Sequence, residues 1–539
     1  MKLPLSLLCS FGLAGSLFAT SKDRPNIVLI LADDMGYSDL GCYGSEIPTP
    51  NLDSLAQRGL RFARFYNSAR CSPSRAALLT GLHPHQAGMG TLAEDPGKRA
   101  STDAAPGYRE ALSANSLTLA ELLRPAGYHT YLAGKWHLGY HGQEKWPLAR
   151  GFERFYGIIA GASSYFRPAG LRGLTSDNTP LDPPTGDYYT TDAFTDQALD
   201  FITTQKDAAP FFLYLAYNAP HWPLHARNED IAKFVGRYRD GWDKLREARL
   251  ARQIELGVIT PGTQLSPRDE DVHAWDSLSE NQKSDLDYRM AVYAAQVHRM
   301  DWNIGRVVEA LRSAGKLENT LILFLSDNGG CAEPYDELGG GPIESINVAD
   351  KVMLNSRREN SAASYGTGWA NASNTPFRKF KSRLHEGGIA TPLIVHWPAG
   401  LKIRPGTVTQ SPGYLADVMA TVIEVTGVPY PTDFRGHRLL PLAGTSLAPI
   451  FSTGSRAQPN WFFWEQYNNK AVRHGSWKAV QPAEKGAPWE LYDLATDPTE
   501  LHDLAASQSA TLQKLTAEWK KWAETHQVLP KKIETGKGS

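Results

Sequence analysis

The sequence comprises 539 residues, of which 42% are hydrophobic and 21% are charged. This is the composition of a globular chain that is long enough for one large domain and a smaller one. The formal net charge is -1 at pH 7, so the overall charge does not favour nucleic acid or an anionic membrane surface as a partner. Beyond the N-terminal stretch, no apolar run reaches the length of a transmembrane helix.

The first 21 residues predict a signal peptide. Met1 and Lys2 precede an apolar run at residues 3–18, and small residues begin at Ala19. A basic start, an apolar segment and a small-residue cleavage site are the three parts of a secretory signal. We therefore expect an exported protein, periplasmic or secreted, whose mature chain begins near residue 22.

The cysteine content does not describe a disulfide scaffold. Cleavage of the signal would remove Cys9 and leave Cys42, Cys71 and Cys331. An odd number in an exported chain leaves one thiol without a partner. Whether Cys42 and Cys331 pair stays open.

Two adjacent carboxylates follow the first predicted strand. Residues 26–31 form a near-continuous apolar run, which is typical of a strand buried on both faces of a parallel sheet. Asp33 and Asp34 come directly after it. In open α/β sheets, ligands bind beyond the carboxyl ends of the strands, so this pair is a candidate ligand site. Residues 49–59 then predict a capped helix without a chemical role.

A short helix is predicted from Cys71 to Gly81. Pro73 suits its first turn and Gly81 suits its end. Cys71 would face the unpaired N–H groups of the helix N-terminus, which favour an anionic substrate. Arg75, one turn further on, should project from the same face.

Two further strands predict polar groups at their carboxyl ends. The strand predicted at residues 128–133 leads to Lys135 and His137, which point to one side of an extended chain. The strand predicted at residues 211–216 leads to His221. Lys135 and His137 could therefore contact one anion, and His221 lies at another carboxyl end of the predicted sheet.

The central part of the chain predicts helices and then another buried strand. Residues 227–287 are polar and indicate surface helices, and a long amphipathic helix is predicted over residues 287–311. A strand is predicted at residues 320–325, and Asp327 and Asn328 follow it.

Four oxygen-bearing side chains thus follow two predicted strands: Asp33, Asp34, Asp327 and Asn328. Three carboxylates and one amide, without imidazole or thiolate, form a site that prefers Ca²⁺ or Mg²⁺ to zinc. Ca²⁺ accepts irregular geometry and many oxygen ligands, and we expect one such ion in the chain.

The remaining chain predicts a rim loop, one more inner strand and a different C-terminal module. Residues 333–369 show little regular pattern, and Lys381 precedes an E-G-G segment and a strand at residues 393–397. A helix is predicted at residues 415–425. Short strands are predicted at residues 461–464, 470–473, 477–480 and 490–494, with a terminal helix at residues 505–526. We expect a catalytic domain over residues 22–455 and a C-terminal subdomain over residues 456–539.

Several motifs together resemble one family. They are C-S-P-S-R with a following T-G, G-K-W-H-L-G, A-P-H-W-P, S-D-N-G-G and E-G-G with a lysine five residues earlier. Their identity and order resemble the type I, formylglycine-dependent sulfatases, most closely the bacterial arylsulfatases. The resemblance implies an alkaline-phosphatase-like α/β fold, in which helices flank a large mixed sheet, with a small C-terminal domain of antiparallel strands and one helix.

The resemblance also implies the roles of the candidate residues. A maturation enzyme would convert Cys71 to formylglycine, whose hydrate attacks sulfur and then expels sulfate. Arg75 would hold the hydrate, and Asp327 would take its proton. Lys135, His137 and Lys381 would bind the sulfate oxygens or assist residue 71, and His221 would protonate the leaving group. The Ca²⁺ site implied by the family matches the four oxygen ligands named above, with residue 71 as a further candidate ligand.

The expected activity is hydrolysis of sulfate esters, either aryl sulfates or sulfated saccharides. One alternative is a phosphonate monoester or phosphodiester hydrolase on the same scaffold. An alternative of another class is a non-catalytic binder of sulfated glycans. Rim loops select the natural substrate, and loop sequences do not reveal it.

Overall fold

A computed structural model describes residues 24–95, 97, 105–333, 363–457 and 461–529. The predicted signal peptide lies outside the described residues, as does most of the predicted rim loop. Within the described ranges, no helix is both long and apolar enough to cross a lipid bilayer.

One large mixed sheet forms the core of the molecule. Its strands are β1 (Asn26–Ala32), β2 (Leu60–Tyr66), β3 (His129–Lys135), β4 (Arg154–Ile158), β5 (Leu174–Ser176), β6 (Thr179–Pro180), β7 (Phe211–Ala216), β8 (Thr320–Ser326), β9 (Ala390–His396), β10 (Thr407–Thr409) and β11 (Gly413–Tyr414). The order across the sheet is β10-β2-β9-β8-β1-β7-β3-β4-β5-β6, and β11 pairs with β2.

The central strands run in one direction, which brings their carboxyl ends to one edge. β1 is parallel to both β7 and β8, and β3 is parallel to both β4 and β7. β9 is antiparallel to β8 and β2, so its first residue lies at that same edge. Strands β7, β8 and β9 are buried along their whole length, which explains their continuous apolar sequences.

Helices flank the sheet. They are α1 (Pro50–Arg58), α2 (Cys71–Thr80), α3 (Leu119–Leu123), α4 (Thr190–Thr204), α5 (Asn228–Ile231), α6 (Gly241–Glu255), α7 (Glu280–Ser313), α8 (Gly366–Ser373), α9 (Glu386–Ile389), α10 (Asp417–Thr426), α11 (Ala448–Thr453) and α12 (Ser509–Thr525). Helix α7 begins at Glu280 rather than at the predicted 287, because Ser279 and Gln282 form a capping box that starts it earlier. Helix α8 occupies part of the segment that the sequence predicted to be an irregular loop.

The C-terminal part has its own antiparallel sheet. A small hairpin of β12 (Asp433–Phe434) and β13 (His437–Arg438) precedes the strands β14 (Phe462–Gln466), β15 (Asn469–His474), β16 (Trp477–Gln481) and β17 (Glu490–Asp493). The last four pair in sequence order, and α12 packs on β15 and β16 through Trp519 and Trp522. This architecture confirms the predicted strands and terminal helix.

Several strands and one helix of the structure were not predicted from the sequence. Strand β2 carries Arg61 and Arg64 among its apolar residues, and these charges hide its buried pattern. Strands β4 to β6 and helix α4 were not predicted either. Cys42 and Cys331 are both buried and unpaired, which answers the question that the sequence left open.

Candidate active site

The predicted site residues converge at the carboxyl edge of the large sheet. Asp33 and Asp34 follow β1, Lys135 is the last residue of β3, and Asp327 follows β8. Helix α2 begins with Cys71 after β2. Parallel neighbours end at the same edge, so topology alone brings these side chains together.

The cluster is dense and buried. Ligand atoms of Asp33, Asp34, Cys71 and His221 all lie within 4.8 Å of one another. The Asp34 backbone N–H donates to Asp327 Oδ1 at 3.3 Å. Asp34 itself has a left-handed φ of 67°, a strained conformation of the kind often found at functional sites.

Two buried oxygens of this cluster have no hydrogen-bond partner among the described residues. They are Asp33 Oδ1 and Asn328 Oδ1. The amide Nδ2 of Asn328 donates to Asp34 Oδ1 at 2.6 Å. Buried carboxylate and amide oxygens without partners are costly unless a cation satisfies them. The residues present therefore fit an oxygen-seeking metal ion.

Two lysines contact the carboxylates of the cluster. Lys135 Nζ donates to Asp33 Oδ2 at 2.6 Å, and Lys381 Nζ donates to Asp34 Oδ2 at 2.8 Å. Burial opposes the charge on Lys381, but the neighbouring Asp34 holds the pKa of this amine well above its usual value. The two ammonium groups offset part of the charge of the carboxylates, and each has further N–H donors that an anion bound beside the cluster could accept from.

The charge of Asp34 depends on the same contacts. Burial would raise the pKa of Asp34, but His221 and Lys381 lower it below its usual range. Burial lowers the pKa of His221 to about 3 in turn. Because the imidazole is then neutral at physiological pH, Lys381 is the cation that keeps Asp34 ionised.

Arg75 is fully buried and holds Asp327. Its Nε and Nη2 donate to Asp327 Oδ2 at 3.0 and 2.8 Å, and its Nη1 donates to the Lys135 carbonyl at 3.0 Å. Burial and the charge of Asp33 nevertheless raise the pKa of Asp327. Arg75 therefore links β3 to β8 rather than lining the adjacent cavity.

The Cys71 thiol is buried at the start of α2. Burial raises its pKa, although Lys135 and Lys381 act in the opposite direction. A protonated thiol is a poor nucleophile. An unmodified Cys71 would therefore be largely inert at neutral pH.

The two histidines of the site are held differently. His221 Nδ1 lies 2.5 Å from the Trp222 carbonyl, so this nitrogen carries the proton that it donates, and His221 Nε2 lies 3.4 Å from Asp34 Oδ2. His137 has a φ of 56° and its ring packs against Gly161, where an added Cβ would lie 2.5 Å from Cε1. The His137 Nδ1 has no hydrogen-bond partner within the described ranges.

A cavity of about 590 Å³ opens onto the cluster. Cys71, His137, His221 and Lys381 line it. Its other lining residues are Arg70, Thr91, Leu92, Ala93, Glu94, Asp95, Glu110, Gly161, Ala162, Arg172, Trp222, Glu333 and Tyr467. None of these was predicted as a site residue. The positions of Arg70 beside Cys71 and of Trp222 beside His221 were available signals, whereas nothing local indicated Tyr467.

Comparison with known proteins identifies the family. The Sulfatase family model matches residues 25–428. The chain belongs to the sulfatase family. The model of the N-sulphoglucosamine sulphohydrolase C-terminal region also matches residues 377–527.

Individual relatives of this sulfatase match over nearly the whole chain. An arylsulfatase from Klebsiella aerogenes is 36% identical over 462 residues, covering 83% of this chain and 97% of the relative. An uncharacterized sulfatase from Schizosaccharomyces pombe is 34% identical over 519 residues, covering 92% and 93% respectively. The crystal structure of Ps i-CgsB in complex with k-i-k-neocarrahexaose is similar with a TM-score of 0.67 and 27% identity, covering 95% of both chains.

These matches establish the activity at the level of the family. The sulfatase hydrolyses sulfate esters, and its alkaline-phosphatase-like fold is the predicted one. Sulfatases generally use a formylglycine and a metal ion, and the buried cluster is a possible metal site.

Proposed function

We propose that residue 71, converted from cysteine to formylglycine, is the nucleophile with which this sulfatase hydrolyses aryl sulfates or sulfated saccharides. One observation carries the proposal: Cys71 lies within 4.8 Å of Asp33, Asp34 and His221 at the base of an open cavity. The aldehyde hydrate supplies one hydroxyl to attack sulfur and a second to release sulfate. A serine at this position lacks that second hydroxyl and would remain sulfated.

We propose Ca²⁺ as the metal. The ligands would be the oxygens of Asp33, Asp34, Asp327 and Asn328, with the side chain of residue 71 as a further ligand. When bound, the ion would offset the negative charge of the sulfate group. A set that included the Cys71 sulfur and the His221 imidazole would suit zinc instead. Conversion of Cys71 replaces sulfur by oxygen, which favours the all-oxygen set.

The cationic side chains would bind the sulfate group. Lys135 and Lys381 already lie at 2.6 and 2.8 Å from the metal-site carboxylates, and each ammonium group has further protons for sulfate oxygens. Arg75 would keep Asp327 oriented through its contacts at 3.0 and 2.8 Å. Asp327, which lies in the same cluster as residue 71, would take the proton of the attacking hydroxyl.

His221 is the proposed acid for the leaving group. Its Nδ1 is anchored on a carbonyl at 2.5 Å, which fixes the ring and leaves Nε2 at the cavity. Because Nδ1 carries the proton of the neutral ring, Nε2 can donate only from the imidazolium form. The negative sulfate group would favour that form on binding. His137, which lines the same cavity, would assist residue 71 or bind a sulfate oxygen.

Export and maturation complete the proposal. The predicted signal at residues 1–21 supports a periplasmic or secreted location. A formylglycine-generating enzyme is the expected partner, since an unmodified, protonated Cys71 thiol would not sustain the reaction. Only 3% of Cys71 is exposed, which favours conversion before the chain has folded around it.

The decisive experiment combines mass spectrometry with sulfate release. Protein made in its own host should contain formylglycine in the peptide that carries residue 71. Cys71→Ala and Cys71→Ser should fold but lose at least about 10³-fold in turnover of aryl and saccharide sulfates. Cys42→Ala, which changes a buried cysteine outside the site, is the matched control and should keep its activity.

The alternatives have distinct outcomes in the same experiment. An unconverted Cys71 in a protein that binds sulfated glycans without turnover would indicate a non-catalytic binder. Faster hydrolysis of phosphonate monoesters or phosphodiesters than of any sulfate ester would indicate the other hydrolase activity. Sustained multiple turnover by either Cys71 variant would refute the proposed nucleophile.

A further inference from the structure

The C-terminal sheet extends a hairpin tip to the active-site cavity. Strands β14 and β15 are joined by a two-residue turn, Tyr467 and Asn468, with φ values of 50° and 70°. Both positive values match the type I′ turn, which strongly prefers Asn and Gly. A tyrosine with positive φ costs conformational energy and needs an explanation. The residue is 40% exposed, so packing in the core does not supply one.

The turn is attached to the catalytic edge of the large sheet. Asn469 Nδ2, directly after the turn, donates to the Ser382 carbonyl at 3.2 Å. Ser382 follows Lys381 and accepts a hydrogen bond from Arg70 Nη1 at 2.8 Å. The tip is therefore connected to the segments that carry Lys381 and Cys71.

The Tyr467 ring lies against the residue before the nucleophile position. The guanidinium carbon of Arg70 is 5.7 Å from the ring centroid, within the range of a cation–π contact. Arg70 is also paired with Glu333. The same Glu333 accepts a hydrogen bond from Trp222 Nε1 at 3.3 Å. These contacts hold Arg70 beneath the ring and leave the exposed part of Tyr467 at the cavity.

Tyr467 and Trp222 are the two aromatic side chains that line the cavity within the described residues. The sulfate group would occupy the buried, cationic end, near Lys381. The rest of the ester must then extend toward the exposed lining. An exposed aromatic ring offers flat apolar area at a low cost in side-chain entropy, which suits the face of an aryl or sugar ring.

We propose that Tyr467 is a specificity-determining residue whose ring packs against the ring system that carries the sulfate. The C-terminal subdomain then completes the substrate site instead of serving only as support. This inference rests on the proposed function, because residue 71 must attack sulfur at the buried end. The substrate class is a sulfate ester of an aryl ring or a pyranose, either of which presents a ring face to the tyrosine.

The test measures each substitution on two sulfate esters, one with a ring and one without, and compares each variant with the wild type on the same ester. This comparison cancels the difference in leaving-group pKa between the two esters. The sulfatase and its variants are assayed by sulfate release from p-nitrophenyl sulfate and from n-propyl sulfate. Tyr467→Ala should lower kcat/KM for the aryl ester about five- to tenfold, mainly through KM, and change the propyl ester by less than about twofold. Tyr467→Phe should stay within about twofold of the wild type on both. Asn468→Gly, which alters the same turn without removing the ring, is the matched control.

Each other outcome overturns the inference. Equal losses on both esters would mean that Tyr467 acts through Arg70 on the nucleophile and not on the ring. No change on either ester would mean that the ring makes no substrate contact. Failure of the proposed nucleophile would be seen separately, because Cys71→Ala would then remain active. The ratio of kcat/KM values for the two esters could still be measured for the wild type and for Tyr467→Ala.

Discussion

Replacement of His221 by alanine tests which active-site residue protonates the leaving group and which residues bind the sulfate. In the structure, His221 Nδ1 donates to the Trp222 carbonyl at 2.5 Å, and its Nε2 lies 3.4 Å from Asp34 Oδ2. The second distance is long for a hydrogen bond, so Nε2 remains available to a leaving oxygen at the cavity. The alanine variant would remove the proposed acid and leave Lys135 and Lys381, which would bind the sulfate group in the proposed mechanism.

The size of the effect depends on the leaving group. A positioned general acid contributes about 10²–10⁴-fold, and a hundredfold corresponds to about 2.7 kcal/mol of activation free energy. A basic sugar or alkyl oxygen needs the proton, so His221→Ala should lose at least about a hundredfold on such esters. The p-nitrophenolate group leaves without a proton, and we expect a loss below about fivefold there.

The assay is a plot of rate against leaving-group pKa for a series of sulfate esters. His221→Ala should give a steeper dependence than the wild type. Lys135→Ala should lower all rates by similar factors, because in the proposed mechanism Lys135 would contact the sulfate and not the departing oxygen. His225→Gln changes a fully buried histidine four residues further on and should leave the slope unchanged. Thermal unfolding of each variant separates folding defects from kinetic ones.

Two results would refute this reasoning. An unchanged slope for His221→Ala would reduce His221 to a sulfate contact. A steeper slope for His137→Ala, with none for His221→Ala, would transfer the acid role to the other histidine that lines the cavity.

Three further predictions concern the metal and stability. Removal of divalent metal should abolish turnover and lower the unfolding temperature, because the clustered carboxylates lose their counter-charge. Ca²⁺ should restore both the turnover and the unfolding temperature better than Zn²⁺. A full rate in protein shown to be metal-free by elemental analysis would contradict the proposed metal site. Lys478, fully buried and paired with Glu386 and Glu500 at 2.8 and 2.7 Å, joins the C-terminal sheet to the catalytic domain. Lys478→Met should cost about 3–5 kcal/mol in urea unfolding, and adding Glu386→Gln should recover part of it; a cost below about 1 kcal/mol would show that the ion pairs do not stabilise the contact. Burial opposes the ionisation of Glu490, but His385 at 2.8 Å lowers the pKa of this carboxyl to about 2. A carboxyl whose pKa is lowered on folding stabilises the folded state at pH values above its unfolded pKa, which is near 4.5. This stabilisation is lost as the pH falls toward 2. Glu490→Gln should therefore remove about 1–2 kcal/mol of the pH-dependent free energy of unfolding, after allowance for the partial exposure of Glu490. Parallel stability–pH curves for the two proteins would contradict it.

Local sequence was sufficient for the part of the site that follows strand ends. Asp33, His221 and Asp327 follow runs that are mostly apolar, because each strand is covered on both faces. The strand that ends at Lys135 is buried from Thr130 onward. The polar residue after such a run must lie at an edge of the sheet. The family motifs then identified which of these edge residues act together.

Local sequence was insufficient where charged residues lie inside buried elements. Strand β2, which leads to the nucleophile helix, was missed because Arg61 and Arg64 interrupt its apolar pattern. Tertiary contacts compensate for these charges: Arg61, for example, donates to the Cys42 carbonyl at 2.7 Å. Glu386 in the E-G-G segment is another buried charged residue, and it accepts hydrogen bonds from Tyr66 and Lys478.

By itself, the sequence determined the α/β fold, the candidate nucleophile at Cys71 and the oxygen-rich cluster of Asp33 and Asp34, because these follow from strand burial and from motifs of neighbouring residues. The tertiary structure alone decided that Arg75 turns to Asp327 and that Tyr467 reaches the cavity from 396 positions beyond Cys71. Periodicity and capping report on residues within a few turns or strand lengths of each other. Contacts between distant segments form only when the domains pack, because closing such long loops costs conformational entropy. Burial of apolar surface offsets this entropy cost, and a local sequence pattern does not report it.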